Sequence, residues 1–171
     1  MGHSTLSGDA FLELLQAHEV EAVADIRRYP GSQRHPQFNQ STLAPTLAAV
    51  DIEYRRFVDL GGRRSARIDP SPNGGWRSAS FAAYADHLLT PSGLSALEEL
   101  IAWGGGRRFA FMCAEVTHLR CHRQIVADWL LAREVPVLHA QPDREPVTHR
   151  LAALARVDEH GQVTYPADEL A

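Results

Sequence analysis

The chain has 171 residues, 44% of them apolar and 22% charged, and a net charge of −4, which suits one soluble α/β-sized domain spanning 1–171. The acidic balance argues against a general surface for duplex nucleic acid, and no apolar run is long enough to span a bilayer. Every basic side chain is arginine, so lysine Schiff-base catalysis and a P-loop with its phosphate-binding lysine are both excluded.

Phe11, Leu14 and Leu15 follow Ser7-Gly8-Asp9 at helical spacing and predict a first helix over 9–18. A short apolar run over 20–26 reads as a buried strand. Two prolines, a glycine and polar groups make 27–39 a loop. A second helix is expected over 41–50, beginning near Thr42 because Pro45 is tolerated only close to a helix start. Residues 52–57 read as a strand, and 59–78 as a loop rich in glycine, proline and arginine.

Phe81, Tyr84, Ala85 and Leu88 then mark a helix ended by Thr90-Pro91. Leu94, Leu97, Leu100 and Ile101 mark another, stopped by Gly104-Gly105-Gly106. A strand over 107–113 leads through a polar loop into a helix over 121–133, with Ile125, Trp129 and Leu130 on its buried face. Residues 135–139 read as a last core strand. Segments 151–157 and 162–165 flank Asp158-Glu159-His160-Gly161 and suggest a terminal β-hairpin. Strands alternating with helices imply a three-layer α/β fold with a mostly parallel sheet.

Both cysteines lie in one short stretch, Met112-Cys113-Ala114-Glu115 and Cys121-His122-Arg123. Two cysteines are too few for a disulfide framework, and with no signal-peptide pattern a cytoplasmic setting with free thiols is expected. Placed after a strand and at a helix start, Cys113, Cys121 and His122 offer a nucleophile, a redox pair or metal ligands. The metal reading would draw on His118 or Glu115 as well. Against it, the cysteine spacing matches no standard zinc motif, and neighbours on a helix project about 100° apart. Glu115 is a candidate general acid or base.

Asp25 falls at a strand end, where α/β enzymes place catalytic carboxylates, and Arg27 and Arg34 could clamp an anion. The other reading of Asp25 and Arg27 is an ion pair that fastens the loop. Gly2-His3-Ser4 could cradle an anion with backbone amides. Leu60-Gly61-Gly62 would permit close approach of a ligand or form a turn. His18, His87, His139, His149 and His160 read as surface or core residues rather than ligands.

These blocks, with Pro30, Ser32, Pro36-x-Phe38-Asn39 and Tyr84-Ala85, resemble the family catalogued as domain of unknown function 488. The likeness covers about 2–140, with 141–171 as a C-terminal elaboration. It implies a compact α/β domain whose shared residues surround one pocket, and no settled activity. Members usually carry an apolar strand before Gly-His-Ser. Here only Met1 precedes it: either the true start lies further upstream, or this strand is lacking. Its loss would leave His3 and Ser4 poorly anchored and open a sheet edge to another chain, while the C-terminal hairpin reads as a local elaboration or a homodimer contact.

The favoured reading is an enzyme for a small anionic substrate, phosphate- or nucleotide-like. Cys113, Glu115, Cys121, His122 and Asp25 would be catalytic, and His3, Ser4, Arg27, Ser32 and Arg123 would hold the substrate. The residues require no cofactor, and none is assigned. Two alternatives stand beside it: a metal-binding protein using Cys113, Cys121 and His122, and a non-catalytic nucleotide or nucleic-acid binding module.

Overall fold

Val23 and Ala24 are both fully buried, on opposite faces of one strand. In the computed structural model, which describes residues 1–167, that strand is β1 (Ala22–Asp25). It lies between β2 (Glu53–Arg56) and β3 (Phe109–Met112) in a parallel sheet of order β2-β1-β3. Asp25 is in register with Arg56 and with Met112, so the three carboxyl ends lie level.

Side chains alternate across the sheet. Val23, Ala110 and Met112 pack with Phe11 and Leu15 of α1 (Gly8–Ala17) and with Leu43 and Leu47 of α2 (Gln40–Ala48). Ala24 and Phe111 face the other way. They share a core with α3 (Ala79–Leu88), α4 (Pro91–Gly104) and α5 (Arg123–Leu131) through Tyr84, Leu88, Leu97, Leu100, Ile125 and Trp129. Helices on both faces of a parallel sheet give the expected α/β architecture. Among the described residues no helix is long and apolar enough to cross a membrane.

Local chemistry sets the element ends. The Ser7 hydroxyl accepts from the Ala10 amide at the start of α1, and Thr90 does the same for Gly93 at the start of α4. Gly105 ends α4 with φ at 50°, the left-handed conformation that glycine adopts without strain. The 59–78 loop is folded around buried Asp86, whose carboxylate accepts from Arg67 Nε, the Ile68 amide, Ser71 Oγ and Asn73 Nδ2.

Three expectations are corrected. The strand expected over 135–139 is not in the parallel sheet. Pro136 has no amide proton to give a ladder, and β4 (Leu138–Gln141) pairs antiparallel with β5 (Arg144–Thr148). The last helix starts later than expected. Cys121 is extended, with φ at −133° and ψ at 144°, after a 3-10 turn (His118–Arg120) whose start is capped by Thr117. The N-terminus is anchored rather than loose. Cys113 N donates to Met1 O, His3 N to Cys113 O and Ser4 N to Ala114 O, so the first residues extend the sheet alongside the end of β3. Gly2 is required there, because a Cβ would collide with the Glu115 carbonyl.

The terminal hairpin forms where expected, as β6 (Arg156–Val157) and β7 (Val163–Thr164). Asp158 Oδ1 accepts from the amides of His160 and Gln162 across its turn.

Candidate functional site

The level strand ends place four chain segments around one cleft of about 330 Å³. Ligands bind at such carboxyl edges in open α/β sheets. The residues after β1 supply Arg27, Arg28 and Tyr29, those after β2 supply Gly62 and Arg63, and α3 supplies Phe81 and Tyr84. The residues after β3 supply Cys113, Glu115, Arg120, Cys121 and His122.

His122 organises the floor. Its Nε2 lies 2.9 Å from the Ile26 carbonyl oxygen, which can only accept, so Nε2 carries the proton. Nδ1 is thereby turned toward both sulfurs, at 3.7 Å from Cys121 Sγ and 3.9 Å from Cys113 Sγ. Tyr84 packs edge-on against the imidazole and donates its hydroxyl proton to Leu60 O. The second glycine of Leu60-Gly61-Gly62 has its reason here. A Cβ on Gly62 would lie 2.7 Å from His122 Nδ1.

Cys121 Sγ is surrounded by donors. Arg123 Nε–H points at it from 3.3 Å. The Cys113 thiol is the second donor, and His122 becomes a third once its Nδ1 has taken a proton. The hydrogen bond from Cys113 does most to lower the Cys121 pKa, burial opposes it, and His122 and Arg123 add to the lowering. The same bond and burial push Cys113 up, so of this coupled pair Cys121 is the thiolate and Cys113 the thiol. Both cysteines are free.

Arg123 is 2% exposed, yet among the described residues it forms no ion pair with a carboxylate. Its Nη2 donates to the backbone carbonyls of Glu115 and Val116. A buried guanidinium needs a compensating negative charge, and the sulfur of Cys121 is the group in place to carry it.

The other sequence candidates divide. Asp25 is fully buried behind the cleft, not in it. Its carboxylate accepts from Arg27 N, Nε and Nη2 and from the Tyr54 hydroxyl. Of its two readings, the fastening ion pair describes this geometry. Arg27 lines the cleft, but Phe38 O and His3 Nε2 take its other donors. Burial, helped by the Arg27 charge, lowers the His3 pKa to about 4, and the neutral ring stacks on Phe38. Ser4 is tied to Ala114, and the Ser32 hydroxyl accepts from the His35 amide within its own loop. Neither these two nor His3 and Arg123 reach the cleft lining. Glu115 does, as an exposed side chain and the one acid of the lining.

Arg28 and Arg63 at the mouth were not singled out from the sequence, Arg120 stands in the cysteine stretch whose arginines are candidates to hold an anion, and none of the three is ion-paired among the described residues. Spacing gave no signal that they meet, because the three come from separate loops. The lack of lysine, which leaves arginine as the anion holder, is the nearest hint. A family model described as domain of unknown function DUF488 matches residues 7–130. The chain belongs to this family. The matched segment holds Asp25, Arg27, Cys113, Glu115, Cys121, His122 and Arg123, and the DUF488 match begins after Gly2-His3-Ser4. No curated protein and no solved structure matches the chain.

Proposed function

We propose that the cleft is the active site of a thiol-dependent enzyme acting on a small anionic substrate, phosphate- or nucleotide-like, in a reducing compartment such as the cytoplasm. The observation that carries this reading is the buried Arg123 guanidinium, 3.3 Å from Cys121 Sγ and without a carboxylate partner among the described residues. A thiolate, not a thiol, is the competent nucleophile. His122, oriented by the Ile26 carbonyl, takes the Cys121 proton on Nδ1, as in other cysteine–histidine pairs. Arg28, Arg63 and Arg120 hold the anionic group at the mouth. The Cys121 sulfur then attacks the electrophilic carbon or phosphorus, and the leaving group takes the proton from His122.

Trapping tests this. Wild-type protein is incubated with activated phosphate and carboxylate esters, and intact mass is followed. A covalent adduct on Cys121, with turnover lost in Cys121→Ser, supports the reading. Full turnover in Cys121→Ser overturns it. Binding of these esters without any adduct favours a non-catalytic module.

A second reading has its own observation. Tetrahedral zinc with one nitrogen and two sulfur ligands sets nitrogen–sulfur edges of about 3.5 Å, close to the 3.7 and 3.9 Å found from His122 Nδ1. With Cys121 extended and outside the helix, the projection argument against adjacent Cys and His ligands falls away. Stoichiometric metal in purified protein, lost in Cys121→Ser, would favour it.

A further inference from the structure

A second cluster lies apart from the cleft lining. His118, His139 and His149 each bring one ring nitrogen within 4.8 Å of the others. They come from the 3-10 turn before Cys121, from β4 and from the residue after β5. The rings of His118 and His139 stack face to face, with centroids 3.4 Å apart and planes 2° from parallel. His139 Nε2 lies 2.9 Å from His149 Nδ1.

The polarity of the cluster follows from its far end. His149 Nε2 is 2.9 Å from Asp128 Oδ1, and Asp128 is fully buried. The carboxylate also accepts from the Ala152 amide and the Tyr165 hydroxyl, so it is held in one orientation. His149 therefore donates from Nε2 and turns the lone pair of Nδ1 toward His139. His118 Nδ1 is buried with no hydrogen-bond partner. Unpartnered buried nitrogens are uncommon, and each calls for an explanation. A histidine that donates one nitrogen to a carboxylate and directs the other at neighbouring imidazoles has the arrangement found around bound metals.

We propose that His118, His139 and His149 bind a divalent transition metal ion of the zinc type through imidazole nitrogens, with Asp128 orienting His149. An all-imidazole set suits zinc, copper, nickel or iron and not magnesium or calcium. At metal–nitrogen distances of about 2.0–2.1 Å, tetrahedral ligands stand about 3.3 Å apart. The His139–His149 contact of 2.9 Å opens by a few tenths of an ångström to admit the ion. No proton is lost overall, because His139 moves its proton from Nε2 to Nδ1. Three protein ligands leave a fourth position for water or a substrate atom.

Cobalt(II) titration of metal-stripped protein tests this and separates it from the cysteine site, since only sulfur ligands give an intense thiolate-to-cobalt absorption. The expected result is one ion bound with visible ligand-field bands and no such absorption. Binding should survive in the Cys113→Ser/Cys121→Ser double variant and disappear in His139→Ala. His118→Gln, at a half-buried position, provides a second loss variant should His139→Ala fail to fold. Asp128→Asn should weaken binding roughly 10–100-fold. Absence of binding to wild type, binding that survives His118→Gln, or a spectrum carried by sulfur and lost with the cysteines would each overturn the proposal.

Discussion

Replacing Arg123 by Gln removes its charge while keeping a donor for the Glu115 carbonyl. At 3.3 Å and an effective dielectric of about 20, a guanidinium and a thiolate attract by about 5 kcal/mol. Residual hydration and the desolvation of both groups take back part of that, leaving about 3–4 kcal/mol. One pKa unit corresponds to about 1.4 kcal/mol, so Cys121 should rise by about 2–3 units in the variant. Thiolate absorbance in the ultraviolet, followed against pH in a Cys113→Ser background, reads this without requiring a reagent to reach the sulfur. Loss of the Cys113 donor raises the starting value, because that hydrogen bond is the largest cause of the lowering. The shift on removing Arg123 remains measurable. A Cys121 pKa that is ordinary before the substitution, or unchanged by it, refutes the pairing of Arg123 with a thiolate.

Three other outcomes follow from the same structure. Gly62→Ala puts a methyl 2.7 Å from His122 Nδ1, so Cys121 alkylation should slow by about tenfold with a stability loss of about 1–3 kcal/mol, and normal reactivity would contradict the role given to His122. Asp86→Ala strips four donors of their shared acceptor and should cost about 3–5 kcal/mol in urea unfolding, whereas a loss below about 1 kcal/mol would show that the 59–78 loop is held by something else. His3 titrates near 6.5 when unfolded and near 4 when folded, so the unfolded chain binds more protons between those values. Its contribution is present above pH 6.5 and is lost as pH falls toward 4, by about 2 kcal/mol after allowing for hydration. Urea titrations at pH 7 and 4.5 should show a smaller fall for His3→Gln than for wild type, and equal falls would exclude His3 as a source.

The elements with strong apolar periodicity were legible. The spacing of Phe11, Leu14 and Leu15, and the run through Val23, Ala24 and Ile26, place helices and strands correctly and so bring the strand ends together. What the periodicity could not show was the start of α5. Thr117-His118-Leu119-Arg120 has no apolar stripe, and the Thr117 cap on Leu119 makes a 3-10 turn that leaves Cys121 extended. Asp25 was legible in principle. It shares a face with Val23, which points into the core against α1 and α2, so its carboxylate had to find internal partners. The histidine cluster carried no local signal. His118, Asp128, His139 and His149 meet only because β4 and β5 fold back beside α5, a long-range contact that no spacing rule reports.

The most direct measurement is the alkylation rate of Cys121, mapped by peptide mass, with anionic iodoacetate and neutral iodoacetamide. A thiolate beneath an arginine-lined mouth should favour iodoacetate relative to a free cysteine peptide. Inorganic phosphate should protect it, and the preference should vanish in Arg63→Gln/Arg120→Gln. A preference equal to that of the peptide, with no protection by phosphate, would contradict an anion-binding active site built on Cys121.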